Sequence, residues 1–123
     1  MDITKQQQQI CDKYGVKPIA CDMDLKVGVA LNVKEIEEPI NGMRYTPEGS
    51  INGWLIWSGE EYSEDKDFFK PLHGHHLKDW QAKVLPYLAL PPGWRFLIAE
   101  NYEDCWFDQN LLDEEQKPTG SFQ

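Results

Sequence analysis

The apolar positions of this chain fall into short runs of the kind that form β-strands. Some runs are rich in β-branched residues, and two of them are apolar at both alternating sets of positions. A strand that is apolar on both sides is typical of the interior of a sheet rather than of its edge. The predicted strands are 26–33, 42–46, 54–58 and 94–99, with a fifth at 105–107 that forms a hairpin with 94–99.

Two segments carry a helical spacing instead. The clearest stripe recurs at steps of three and four residues, through Leu77, Trp80, Val84 and Leu88. Pro86 is expected to kink or end this helix, because it has no amide hydrogen to donate to Ala82. A short N-terminal helix is predicted to begin near Thr4 and to stop at Gly15, which tolerates the left-handed conformation.

The order of these elements predicts an α+β fold. We expect an antiparallel sheet of about four to five strands, packed with the N-terminal helix and one central helix. The short gaps between the first three strands favour hairpins, although a parallel crossover among them stays open. Residues 1–112 are predicted to form a single domain, and the polar residues 113–123 a flexible C-terminal tail.

Charge narrows the range of partners. The chain has 123 residues and a formal net charge of -9, and residues 99–123 carry seven acidic side chains against Lys117 alone. Such a surface repels phosphate backbones and anionic lipid, so direct binding to nucleic acid or to a membrane is disfavoured. No apolar run approaches the roughly 20 residues of a membrane span, and no secretory signal is evident at the N-terminus. We therefore expect a cytoplasmic protein.

The residue types that carry chemistry form no convincing catalytic constellation. A nucleophile elbow, a phosphate-binding loop and a dinucleotide fingerprint are all absent from the sequence. The three cysteines lack the spacing of a disulfide framework or metal site and are interpreted as reduced, buried thiols. The sequence thus predicts neither an enzyme nor a cofactor. One alternative stays open, a small metal-binding protein or metal-dependent enzyme that uses the cluster His73, His75 and His76.

Acidic residues gather at two places, where they either solubilise the surface or form a docking face for a basic partner. The first cluster lies within 60–67, and the second surrounds Trp106 near the C-terminus. A large aromatic ring inside a polar rim is typical of an interface anchor. The predicted partner contacts are Glu60, Glu61, Glu64, Asp65, Glu103, Asp104, Trp106 and Asp108.

Several strings of residues resemble a known family. They are Gly-Trp followed by Ser-Gly-Glu-Glu within 53–61, Phe-Lys-Pro-Leu-His at 69–73, the proline-bounded turn and Gly-Trp-Arg-Phe within 85–96, and Tyr-Glu-Asp at 102–104. In this order, over roughly residues 18–112, the chain is similar to small bacterial immunity proteins of the immunity-33 type. The resemblance implies a cytoplasmic, non-enzymatic antitoxin that binds a cognate toxin domain at or near its active site. A regulatory module whose partner is unrelated to toxins is the remaining alternative.

Overall fold

A computed structural model of the chain describes residues 3–30, 33, 38–59 and 69–112. The strands are β1 (Lys26–Ala30), β2 (Ile40–Arg44), β3 (Ile51–Ser58), β4 (Phe69–His73), β5 (Trp94–Ala99) and β6 (Tyr102–Phe107). The helices are α1 (Ile3–Lys13) and α2 (Leu77–Gln81), together with 3-10 helices at Gly74–His76, Ala82–Tyr87 and Gln109–Leu112. None of the helices in these ranges is long and apolar enough to cross a bilayer. The predicted tail, 113–123, lies outside the described residues.

The strands form one six-stranded sheet in the order β4-β1-β3-β2-β5-β6. This confirms the predicted α+β class, the N-terminal helix, the central helix and the β5–β6 hairpin. The expectation of a wholly antiparallel sheet is wrong for one pair, because β1 runs parallel to β3. Residues 31–39 separate β1 from β2, which is more than a tight hairpin needs, and β2 pairs with β3 and β5 instead.

The strand that the sequence did not predict is β4, which brings the strand count to six. It is five residues long and contains Pro71, which cannot donate a backbone hydrogen bond. Proline argues against a central strand, but β4 lies at the edge of the sheet, where a proline that faces outward breaks no bond. His73, the first member of the histidine cluster, is the last residue of this strand.

One side of the sheet, which we call the first face, carries Arg44 opposite Trp54, and Phe96 opposite Gly42. The helices pack on this side. Trp54 donates its indole N–H to the carbonyl of Leu88 at 3.0 Å, and the ring of Tyr87 stacks on Phe96 with centroids 5.1 Å apart. The opposite side, which we call the second face, carries Arg95 and Trp106 on the two strands of the hairpin, and these two residues pair directly.

Arg44 fastens two irregular segments to the first face. Its guanidinium is 1% exposed and donates to four backbone carbonyls, those of Ile19 (2.8 Å), Ala20 (3.2 Å), Leu88 (3.5 Å) and Leu90 (2.7 Å). These carbonyls belong to the segment that follows α1 and to the turn that precedes β5. A single side chain at the end of β2 therefore holds both of these segments against the first face.

Candidate partner-binding surface on β5 and β6

The predicted partner contacts divide into two groups. Glu60, Glu61, Glu64 and Asp65 lie outside the described residues, and their placement stays a prediction. The other four lie on β6 or directly after it, at the edge of the sheet. Only the second group can be discussed in terms of contacts.

Alternation along β6 separates Glu103 from the other three residues. Asp104 pairs with Leu97 and Trp106 pairs with Arg95, so both side chains lie on the second face. Glu103 pairs with Ile98 and points to the first face, towards the helices. The sequence placed these acids in one patch because neighbours in a strand are neighbours in the sequence, although their side chains leave on opposite sides.

On the second face, four residues form what we call the Arg95 cluster, namely Arg95, Asp104, Trp106 and Asp108. The guanidinium carbon of Arg95 lies 5.3 Å from the centre of the Trp106 ring, and its Nη1 atom is 3.2 Å from Oδ2 of Asp108. The other oxygen of Asp108 accepts the backbone N–H of Asn110 at 3.1 Å. Arg95 thus orients the aromatic ring and one carboxylate together.

Asp104 is the member of the cluster whose charge is left uncompensated. In the described part of the chain its carboxylate has no hydrogen bond or ion pair, whereas Asp108 is paired with Arg95. The cluster therefore carries one net negative charge beside a partly exposed tryptophan. That combination suits contact with a surface that offers a cation and an apolar group.

Arg95 is the member of this cluster that sequence reasoning missed. It lies in a run that was interpreted as apolar, and its neighbours in the sequence suggest no partner. The signal was present in the hairpin register, since pairing 94–99 with 102–107 places Arg95 opposite Trp106.

On the first face, Glu103 joins α1, the 82–87 helix and β6. Its Oε2 atom lies 2.7 Å from Nζ of Lys13 and accepts the hydroxyl of Tyr14 at 3.0 Å, while Oε1 accepts the hydroxyl of Tyr87 at 2.6 Å. Partial burial opposes ionisation of this carboxyl, but the hydrogen bonds from Lys13, Tyr87 and Tyr14 outweigh it and lower its pKa. Glu103 already has three donors within the chain.

Tyr14 and Tyr87 both donate a hydrogen bond to the carboxylate of Glu103. Burial, and then the hydrogen bond to Glu103, raise the pKa of both Tyr14 and Tyr87 above the ordinary value, so each hydroxyl remains a donor at neutral pH. Beneath them, burial raises the pKa of the Cys105 thiol to about 12. The side chains around Glu103 therefore hold α1, the 82–87 helix and β6 together, and the Cys105 thiol beside them is not a reactive thiolate.

The histidines and the remaining cysteines offer little chemistry. His75 contacts Asp24 through Nε2 at 2.6 Å, while the rings of His73 and His76 meet edge to face with centroids 6.3 Å apart. In the described ranges no three His, Cys, Asp or Glu side chains are placed to hold a metal ion together. Burial raises the pKa of the Cys21 thiol to about 11.

Comparison with known proteins identifies a family. Residues 6–108 match the model of the Imm33-like domain family. The matched range begins within α1 and ends at Asp108, so it includes all six strands and the Arg95 cluster. Neither the curated proteins nor the solved structures contain a match to this chain. A family match that covers most of the chain establishes that this protein belongs to the Imm33-like domain family.

Proposed function

We propose that this chain is a non-catalytic immunity protein that binds a cognate bacterial toxin domain and neutralises it. The observation that carries the proposal is membership of the Imm33-like family over residues 6–108. We propose further that the Arg95 cluster contacts the toxin, with Trp106 as the apolar anchor and Asp104 and Asp108 as its acidic rim. Glu60, Glu61, Glu64 and Asp65 are proposed as further toxin contacts on the ground of their charge.

Charge supports this mode of action. A chain with a formal net charge of -9 attracts a basic partner over a distance of about a Debye length, roughly 8 Å at physiological ionic strength. An acidic protein that docks over the cleft of a toxin with an anionic substrate would compete with that substrate for the same cations. Arg95 limits the entropy cost of ordering side chains on binding, because it already holds the Trp106 ring and Asp108 in place.

Co-expression with the toxin domain encoded beside this chain tests the proposal. Cells that produce the toxin domain alone should stop growing, and cells that also produce this chain should grow normally. The purified proteins should form a complex of defined stoichiometry by calorimetry. Unprotected cells, together with no binding to the purified toxin domain, would contradict the proposed function.

Neutralising Asp104 should slow association without unfolding the chain. Asp104→Asn removes a charge that has no partner among the described residues, so we expect little change in stability. The association rate constant for the toxin domain should fall about two- to threefold at low salt, and its dependence on salt should weaken. Stopped-flow mixing at several ionic strengths measures both quantities.

Asp79→Asn is the matched control, since it makes the same charge change on α2, which contacts the 82–87 helix of the first face. An effect of Asp104→Asn no larger than that of Asp79→Asn would mean that only the net charge matters. Asp104 would then not be part of the docking surface.

A further inference from the structure

The two edges of the sheet differ in their protection against strand pairing. At the β4 edge, Gly74 donates its N–H to Leu25, and the antiparallel register continues that bonding at Leu72 and Lys70. The backbone of Pro71 therefore faces outward, where it offers no amide hydrogen. A proline and a lysine are two of the devices by which natural proteins block an edge strand.

The β6 edge lacks those devices. Asp108 donates its N–H to the carbonyl of Gly93 at 2.7 Å. Because the bonding alternates in an antiparallel pair, the backbone N–H and C=O groups of Trp106, Asp104 and Tyr102 also point towards β5. The N–H and C=O groups of Glu103, Cys105 and Phe107 then face away from β5, and no described strand pairs with them. The six residues of β6 include no proline or lysine, and their register with β5 is regular.

Two exposed aromatic side chains flank this open edge. Tyr102 at one end of β6 is 58% exposed, and Phe107 at the other end is 49% exposed. The side chain of Cys105 between them is buried under the first face, so the middle of the strand presents backbone rather than side chain. A backbone edge with apolar rings at both ends is the arrangement that an added strand uses for affinity and for specificity.

We propose that a β-strand of the toxin domain adds to β6 and extends the sheet across the interface. This inference rests on the proposed function and specifies how the partner is held. The added strand carries a basic side chain opposite Asp104, which lacks a partner among the described residues, and apolar side chains beside Tyr102 and Phe107. A second copy of this chain fits less well, because each copy brings an acidic strand and a net charge of -9.

Hydrogen exchange at single amides, measured by NMR on the ¹⁵N-labelled chain, tests the geometry directly. In the free chain, the amides of Asp104, Trp106 and Asp108 should exchange slowly and those of Glu103, Cys105 and Phe107 rapidly. On addition of the purified toxin domain encoded beside the chain, the second set should become at least about tenfold slower. New protection at alternate residues, Glu103, Cys105 and Phe107, indicates strand addition. Contact through side chains alone would not give this alternation.

A pair of variants at the end of β6 tests the same backbone edge by affinity. Phe107→Ala removes the ring and keeps the outward N–H, whereas Phe107→Pro removes both and leaves the bonds to β5 intact. Phe107→Pro should bind the toxin domain about tenfold more weakly than Phe107→Ala, the effect of one lost backbone hydrogen bond and its unsatisfied partner. Thermal unfolding of both variants shows whether they are equally folded. The exchange experiment uses the wild-type chain and depends on neither variant.

The outcomes separate this inference from the proposed function. Binding by the wild type with equal affinities of the two variants and no new amide protection would overturn strand addition alone. Protection of the outward amides already in the free chain would mean that residues 113–123 or a second copy occupy the edge, which gel filtration distinguishes, and would also overturn it. No binding of the toxin domain by the wild type would overturn the proposed function together with this inference.

Discussion

Arg44→Met is expected to lower the free energy of unfolding by about 3–5 kcal/mol, a large share of the stability of a domain of this size. The guanidinium is buried and supplies hydrogen bonds to four backbone carbonyls. Methionine fills a similar volume but donates no hydrogen bond, so the carbonyls of Ile19 and Leu90, the closest acceptors, lose their donor, the first in a partly buried and the second in a buried position. Each such orphaned group costs about 1–3 kcal/mol.

This case differs from that of a buried ion pair, which hydrophobic residues can often replace without loss. There both charged partners are removed, whereas the partners of Arg44 belong to the main chain and stay in place. Burial also lowers the pKa of Arg44, so the folded protein holds this cation against a desolvation cost that its carbonyl contacts offset. Arg44→Met removes the contacts with the carbonyls as well as the desolvation cost of the cation.

Arg95→Met is the matched control, because Arg95 is the other arginine of the chain. Its side chain is 29% exposed and, among the described residues, makes one ion pair, with Asp108. Its loss should cost about 1 kcal/mol or less. Urea denaturation of both variants, followed by tryptophan fluorescence, makes the comparison. A value for Arg44→Met within 1 kcal/mol of wild type would show that the carbonyls find other donors.

The sequence predicts the parts of this fold whose signal is local. The helical stripe through Leu77 and Val84 gives two fully buried residues, and Trp54 in the predicted interior strand is 1% exposed. The expected break at Pro86 is wrong in position, because the α-helix already ends at Gln81 and Pro86 lies inside the 3-10 helix Ala82–Tyr87 that follows. Each of these features depends on residues within a few positions of each other.

What the sequence does not predict depends on pairing between distant segments. Arg44 has no distinguishing neighbour in the sequence, and its burial follows from carbonyls about 24 to 46 positions away. The parallel pairing of β1 with β3 similarly depends on where β2 is placed. At the candidate site, the tryptophan and the acids are visible in the sequence. The separation of Glu103 from Asp104 follows only from the strand register.

Glu103→Gln should lower the free energy of unfolding by about 2 kcal/mol at pH 7, because hydrogen bonds to an ionised group contribute about 1.5–3 kcal/mol. The carboxylate, 23% exposed, accepts from Tyr14 and Tyr87 and contacts Lys13. Glutamine keeps the shape of the side chain, removes the charge, and replaces one of the two accepting oxygens with an amide group that only donates. Glu100→Gln makes the same change three residues earlier, on an exposed side chain in the turn, and should have little effect.

The pH dependence of this difference identifies the ionised form as the stabilising one. The pKa of Glu103 in the folded chain is lowered from its ordinary value of 4.5, so the folded protein binds the proton less readily than the unfolded chain. The stabilisation is therefore complete well above pH 4.5 and is lost as the pH falls through the folded-state pKa. Urea denaturation from pH 7 down to pH 3 should show wild type and Glu103→Gln converging at the acid end. A difference that stays constant with pH would mean that the lost accepting oxygen, and not the lost charge, destabilises the variant.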